Sequence, residues 1–213
     1  MPGFLLTIEG IEGTGKTTFA HRIVDFLHNR NIQCVYAREP GGTAAGEALR
    51  DILLNGDVSL SPEGELLLME AARVQLMNET VLPALETGKT VVLDRYIDST
   101  TAYQGYGRGI DLEFVSRLNL FAGKNRLPDL TLLLDIDVPT GLSRARNIPT
   151  QNGFTDRFES EEFLFLERAR QGFLDIAARN TDRIVVIEID GDIETVWNKI
   201  RRILEEKYNF PTQ

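Results

Sequence analysis

Five short apolar runs, each followed by a stretch with helical spacing, most tightly limit how this 213-residue chain can fold. The runs lie at residues 4–8, 33–37, 90–93, 130–136 and 183–189. Between them, apolar residues recur with a period near 3.6, as Phe19, Ala20, Ile23, Val24 and Leu27 do. Strands alternating with helices build a parallel sheet covered by helices on both faces. The run LTLLLDI at 130–136 suits a strand buried on both sides. We therefore read an α/β fold with a five-stranded parallel sheet and no linker dividing it, so residues 1–213 form one domain. Ligands of such a sheet gather at the carboxyl ends of its strands.

Helices are expected over 17–29, 43–54 and 61–86, the last started by Ser61-Pro62, kinked at Pro83 and stopped by Gly88. Others are expected over 111–121, 139–146 and 160–180, with a final one capped by Asp192 and running to 208. The polar segment 147–155, with Pro149 and Gly153, reads as a mobile loop.

The first strand runs directly into Gly10-Ile11-Glu12-Gly13-Thr14-Gly15-Lys16-Thr17, followed by Thr18. This is the G-x-x-x-x-G-K-T pattern of a P-loop, in its required place between strand and helix. Glycines let backbone N–H groups curl around phosphates, and the helix start adds a positive end. Lys16 would reach the β- and γ-phosphates, and the Thr17 hydroxyl would hold Mg²⁺. The fold expected is thus of the P-loop NTPase type. The pattern implies a nucleoside triphosphate such as ATP but not a reaction.

Further clusters follow the other strands. Arg38-Glu39-Pro40-Gly41-Gly42-Thr43 comes after the second, Asp94-Arg95-Tyr96 after the third, and Arg144 with Arg146 after the fourth. Taken singly they read as a Pro-Gly turn, an ion pair at a strand end and a solvated helix face. Their shared position at the P-loop edge of the sheet raises all three.

In order and spacing, IEGIEGTGKTT, AREPGGT, EAAR, LDRYIDSTTAYQGYGRGI, LPDLTLLLDI and TDRFE resemble the thymidylate kinase family over about residues 4–205. That resemblance implies the reaction ATP + dTMP to ADP + dTDP, feeding dTTP synthesis, with Mg²⁺ and usually in a homodimer. It implies that Lys16 and Thr17 serve ATP and Mg²⁺, with Asp94 as a second metal residue. Arg95 would grip the acceptor phosphate and Arg73 would contact thymine. Met69 stands where similar enzymes usually carry a phenylalanine over the base. Glu39, Arg50, Thr100 and Gln104 would line the acceptor pocket. A lid over about 147–158 would open at Arg144 and Arg146, with Arg144 against adenine and Gly191-Asp192 near that base. Either Arg146 or Arg157 would supply a bridging charge, and Phe158 would crowd the 2′ position of the sugar. Glu12, a carboxylate inside a phosphate loop, either faces water or positions an arginine or metal.

Two other readings of the P-loop stay open on the residues alone. A GTPase or ATPase switch would not need arginines on several loops, and no Asn-Lys-x-Asp guanine motif follows a late strand. A deoxynucleoside kinase would need a base for a 5′-hydroxyl, whereas a monophosphate acceptor is already anionic and needs a cation. Composition narrows the partners. Lys and Arg number 23 against 32 Asp and Glu, a net charge of −9, which disfavours nucleic-acid polymers and anionic membranes. No apolar run reaches a membrane span, and the first ten residues lack the basic region of a signal peptide. With one cysteine, Cys34, no internal disulfide can form, so a cytoplasmic location is expected. His21 and His28 share a face of the first helix without a third ligand and read as surface residues, while Cys34 and Trp197 read as packing.

Overall fold

A computed structural model describes residues 3–146 and 163–207. Its strands are β1 (Leu5–Glu9), β2 (Cys34–Arg38), β3 (Thr90–Asp94), β4 (Leu130–Asp135) and β5 (Ile184–Glu188). They form one parallel sheet in the order β2-β3-β1-β4-β5. The chain leaves β1 toward β2 and β3 on one side and returns for β4 and β5 on the other. The P-loop therefore sits at the topological switch point, where open sheets hold ligands.

The helices are α1 (Lys16–His28), α2 (Ala44–Leu54), α3 (Pro62–Leu76), α4 (Leu82–Glu86), α5 (Ile97–Thr100), α6 (Leu112–Ala122), α7 (Val138–Arg146), α8 (Phe163–Arg179) and α9 (Ile193–Lys207). Side-chain alternation along the strands divides the core. Leu6, Ile8, Leu132, Leu134 and Ile187 pack with α1 and α9 on one face. On the opposite face Leu5, Val91 and Leu93 meet Leu76, Met77, Val81 and Leu85. Leu133 and Ile184 meet Phe165, Leu166 and Phe173 of α8 on that same face. Trp197 packs edge-on against Phe26, as helical spacing predicts. His21 and His28 are exposed. Cys34, on the edge strand, is half-buried rather than in the core.

Two helical features depart from the sequence reading. The stretch 62–86 is helical throughout, capped by Ser61, but Met77–Val81 forms a π turn, with Leu82 N–H bonded to Met77 O. Pro83 has no N–H for the α ladder, and the widened turn just ahead of it absorbs that loss. The second feature was not anticipated: α5 continues into a π-helical segment, Thr101–Gly107. Asp98, Ser99, Thr100, Thr101, Gly105 and Gly107 are poor helix formers without apolar period. Tertiary contacts make the helix: Ala102 and Tyr103 are buried against α8, and Asn119 Nδ2 donates to Ile97 O at 3.2 Å.

Beneath α5 a polar cluster crosses the same sheet face. Thr7 and Thr131, cross-strand partners on β1 and β4, share a buried hydroxyl bond of 2.8 Å. Arg183 grips Asp98 through both terminal nitrogens, at 2.7 and 2.8 Å. Glu9 at the end of β1 is fully buried, accepting from Tyr96 N–H at 2.8 Å and Ser99 Oγ at 2.6 Å. Burial, and then the nearby Asp98 charge, push its carboxyl up to about 8.

Candidate active site

The glycines after β1 bring backbone close to backbone. Gly10, at φ +139°, leaves no room for a side chain: a Cβ would lie 2.3 Å from Leu134 O. At Gly13, φ +76°, a Cβ would meet Gly141 O at 2.0 Å. The start of α7 is therefore seated directly on the phosphate loop. Thr14 Oγ1 ties the turn to Ile11 O at 2.9 Å. Lys16 reaches back over the loop, donating to Ile11 O at 2.8 Å and approaching Thr14 Oγ1 at 3.4 Å. Burial, followed by repulsion from Arg95, lowers its ammonium to about 8.

At the end of β3, Arg95 adopts φ +71°, a strained conformation for a residue with a side chain. Its N–H bonds to Ile8 O at 3.0 Å, and the following N–H is held by Glu9. The guanidinium turns toward the P-loop. It donates to Glu12 Oε1 at 2.9 Å, Gly10 O at 3.2 Å and Ser99 Oγ at 3.1 Å, and its carbon lies 5.0 Å from the Tyr103 ring centroid. Burial opposes its charge, but Tyr103, Glu12, Asp94 and Glu9 outweigh that and raise its pKa. Glu12 is 5% exposed and also accepts the Tyr103 hydroxyl at 2.8 and 2.9 Å. It therefore faces inward as an anchor for Arg95 rather than outward to water.

Thr17 Oγ1 donates to Asp94 Oδ2 at 2.5 Å. A hydroxyl and a carboxylate side by side at the mouth of a phosphate loop are hard oxygen donors of the kind Mg²⁺ takes, so these residues fit that ion.

These groups open into one cavity of about 450 Å³. Of the residues anticipated from sequence, Glu12, Gly13, Gly15, Lys16, Thr17, Thr18, Glu39, Arg50, Met69, Asp94, Arg95 and Gln104 line it. Gly10, Ile11 and Thr14 shape the loop from behind. Arg50 donates to Pro40 O at 2.8 Å. Arg73 and Thr100 stand one layer behind the wall. All five Arg73 N–H groups are engaged by Glu39, Glu70, Asn119 and Thr100. Its side chain is fully buried. Burial raises the Glu39 and Glu70 carboxyls despite that arginine. Arg144 and Arg146 are exposed on α7 away from the cavity wall, though Ala145 between them lines it. Gly191 and Asp192 are exposed too, and Asp192 Oδ1 caps α9 through Thr195 N–H at 2.8 Å. Arg157, Phe158 and the lid expected at 147–158 lie outside the described residues.

Six further residues line the cavity, Arg38, Pro40, Leu54, Ser99, Tyr103 and Ala145, and sequence reasoning gave none of them an individual role. Arg38, Pro40, Ser99 and Tyr103 lie inside quoted motifs. The missing signal was the helical turn of α5 and the π segment, which points Ser99 and Tyr103 back at Arg95.

A triphosphate cradle and a separately anchored guanidinium facing one space suit a donor and an acceptor that are both anionic. Such a site on a parallel sheet of this order defines a P-loop nucleotide kinase. A family model for thymidylate kinase matches residues 8–200, and the chain belongs to the thymidylate kinase family. It is a dTMP kinase, converting dTMP to dTDP. The thymidylate kinase of Desulfosudis oleivorans is 47% identical over 204 residues, 94% of this chain and 95% of the relative. That of Syntrophotalea carbinolica is 43% identical over 211 residues, 98% of each chain. The crystal structure of thymidylate kinase from Ehrlichia chaffeensis superimposes with a TM-score of 0.79 at 32% identity, covering 96% of this chain and 100% of that one.

Proposed function

We propose that ATP is the phosphoryl donor, that Mg²⁺ accompanies it, and that the cradle and Arg95 align the two nucleotides for in-line transfer. A dTMP phosphate oxygen attacks the γ-phosphorus, and the bond from the γ-phosphorus to the β–γ bridging oxygen breaks, leaving ADP and dTDP. The observation that carries this reading is the Lys16 cradle and the Glu12-anchored Arg95 sharing one cavity. Lys16 exchanges its contact with Ile11 O for the β- and γ-phosphates. Arg95 offers parallel N–H groups to the acceptor phosphate, a fork that lysine lacks. Gly13, Thr14, Gly15, Thr17 and Thr18 complete the phosphate cradle. Thr17 and Asp94 would hold Mg²⁺, which when bound neutralises charge on the phosphate oxygens. No general base is required, because the acceptor is already anionic.

Glu39, Arg50, Met69 and Gln104 form the acceptor pocket in this reading, with Arg73 and Thr100 fixing its floor. Arg144, Gly191 and Asp192 serve the adenine side, and Arg146, Arg157 and Phe158 act from the lid. These roles rest on the family resemblance. Replacing Arg146 or Arg157 by alanine is expected to lower turnover far more than ATP affinity, and unchanged turnover in both variants removes the lid-arginine role. Residues 1–213 act as one kinase domain, supported by the length of the family match. A homodimer is supported by exposed apolar side chains on α3 and α6: Leu67, Leu112, Phe114, Leu120 and Phe121, the last 71% exposed. Light scattering at micromolar concentration tests it. Among the described residues no helix is long and apolar enough to cross a membrane. The phosphorylated substrates and the unpaired Cys34 support a reducing, cytoplasmic setting.

The deciding experiment measures ADP release from Mg-ATP with dTMP, dUMP, UMP, thymidine or no acceptor, with and without excess chelator. Release with dTMP that chelator abolishes is expected. Fast release without an acceptor, or with thymidine alone, overturns the reading.

A further inference from the structure

Gln104 lines the cavity, yet its amide is committed at one end only. Nε2 donates to Glu65 Oε1 at 2.9 Å, while Oε1 is buried and has no hydrogen-bond partner among the described residues. Glu65 lies on α3, 1% exposed and outside the cavity wall. Arg108 backs it, with Nε at 3.3 Å from Oε1 and Nη2 at 3.1 Å from Oε2. The Arg108 guanidinium itself sits 4.4 Å from the Phe165 ring centroid.

An ion-paired carboxylate offers only acceptors, so the amide must turn its NH₂ toward Glu65. Rotating the amide by half a turn would set oxygen against oxygen. The carbonyl oxygen is thereby left as the unpartnered end of a buried side chain at the cavity wall, and a buried acceptor without a donor is a costly state that a ligand N–H relieves. A pyrimidine ring distinguishes itself at this point. Thymine and uracil carry a hydrogen on N3, whereas N3 of cytosine is an acceptor.

We propose that Glu65 is a positioning residue for substrate selection. By fixing the Gln104 amide, it makes the acceptor pocket demand a ring N–H and reject cytosine. The proposal rests on the placement of the acceptor base beside Met69 and Gln104. A glutamine at position 65 can donate or accept, so it frees the Gln104 amide to adopt either orientation.

The test compares kcat/KM for dTMP, dCMP and N3-methyl-dTMP in the wild type, Glu65→Gln and Gln104→Leu, with thermal melting to verify folding. The wild type is expected to use dTMP and to reject the other two. In Glu65→Gln the dTMP-to-dCMP ratio falls about tenfold or more, mainly through KM, as loss of one buried hydrogen bond implies. Gln104→Leu is expected to lose the same factor for dTMP and to narrow the gap between dTMP and its N3-methyl form. If folded Glu65→Gln loses dTMP and dCMP turnover in parallel, or neither, Glu65 is a structural prop and the proposal fails. If only Gln104→Leu folds and it keeps the wild-type ratios, the proposal fails as well. A wild type inactive with dTMP but active with another acceptor overturns the function reading and this inference together. An active wild type with unmoved ratios in the variants overturns this inference alone.

Discussion

The Glu12 carboxylate holds the Arg95 guanidinium at 2.9 Å, joining the phosphate loop after β1 to the strained residue that ends β3. The pair is mostly buried, and Tyr103 bonds to both members, with its hydroxyl 3.4 Å from Arg95. A negative charge inside a phosphate loop is thereby spent on orienting a positive one.

Glu12→Gln should keep a contact to Tyr103 while releasing Arg95. A displacement of about 1 Å at a reacting centre costs on the order of 10²-fold in rate. We expect kcat to fall by about that factor with the KM for ATP nearly unchanged, measured by steady-state kinetics. An equal loss in ATP affinity would instead place Glu12 with the cradle alone.

Lys16 is a cation below its lowered pKa of about 8 and neutral above it. Binding of ATP to the free enzyme should weaken as pH rises through that value. In the complex the triphosphate favours the charged form, so the fall in kcat is displaced to higher pH. Profiles of kcat/KM and kcat against pH check this separation.

Glu9 has the opposite sign. Its carboxyl is raised in the folded state to about 8 from an ordinary 4.5, so the folded protein favours the protonated form. That contribution is complete below about pH 4.5 and is lost as pH climbs through 8. Glu9→Gln keeps the shape without the charge. Its melting temperature should exceed that of the wild type by several degrees at pH 8 to 9, with the difference vanishing near pH 5.

Met69 is buried in the cavity wall, at the position where the family resemblance implies an aromatic ring. A thioether covers a ring with looser geometry than a stacked phenyl. Met69→Phe should bind dTMP at least as tightly, and Met69→Ala about tenfold more weakly, in calorimetric titration. A large loss in Met69→Phe would show that this side chain does not face the base.

The strands were legible because buried parallel strands are continuous apolar runs, and each lies within a residue or two of where the sequence puts it. The helix of residues 97–107 was not legible, since its residues disfavour helix and its buried side is chosen by α8 and Asn119. The residues of the cavity were largely legible as motifs, but their orientations were not. The family resemblance reads Arg73 as a contact to thymine, and the fold engages all of its N–H groups with partners up to 46 positions away.

By itself the sequence determined the strand–cradle–helix unit at 5–28, because glycine spacing, apolar period and capping act between near neighbours. It also determined that guanidinium groups would follow the strands, since parallel strands bring all their carboxyl ends to one rim. Only the tertiary structure decided that Glu12 faces Arg95, 83 residues away, and that Gln104 turns its amide to Glu65, 39 residues away. Hydrogen bonds depend on distance and angle in space, and chain packing alone sets those for residues so far apart.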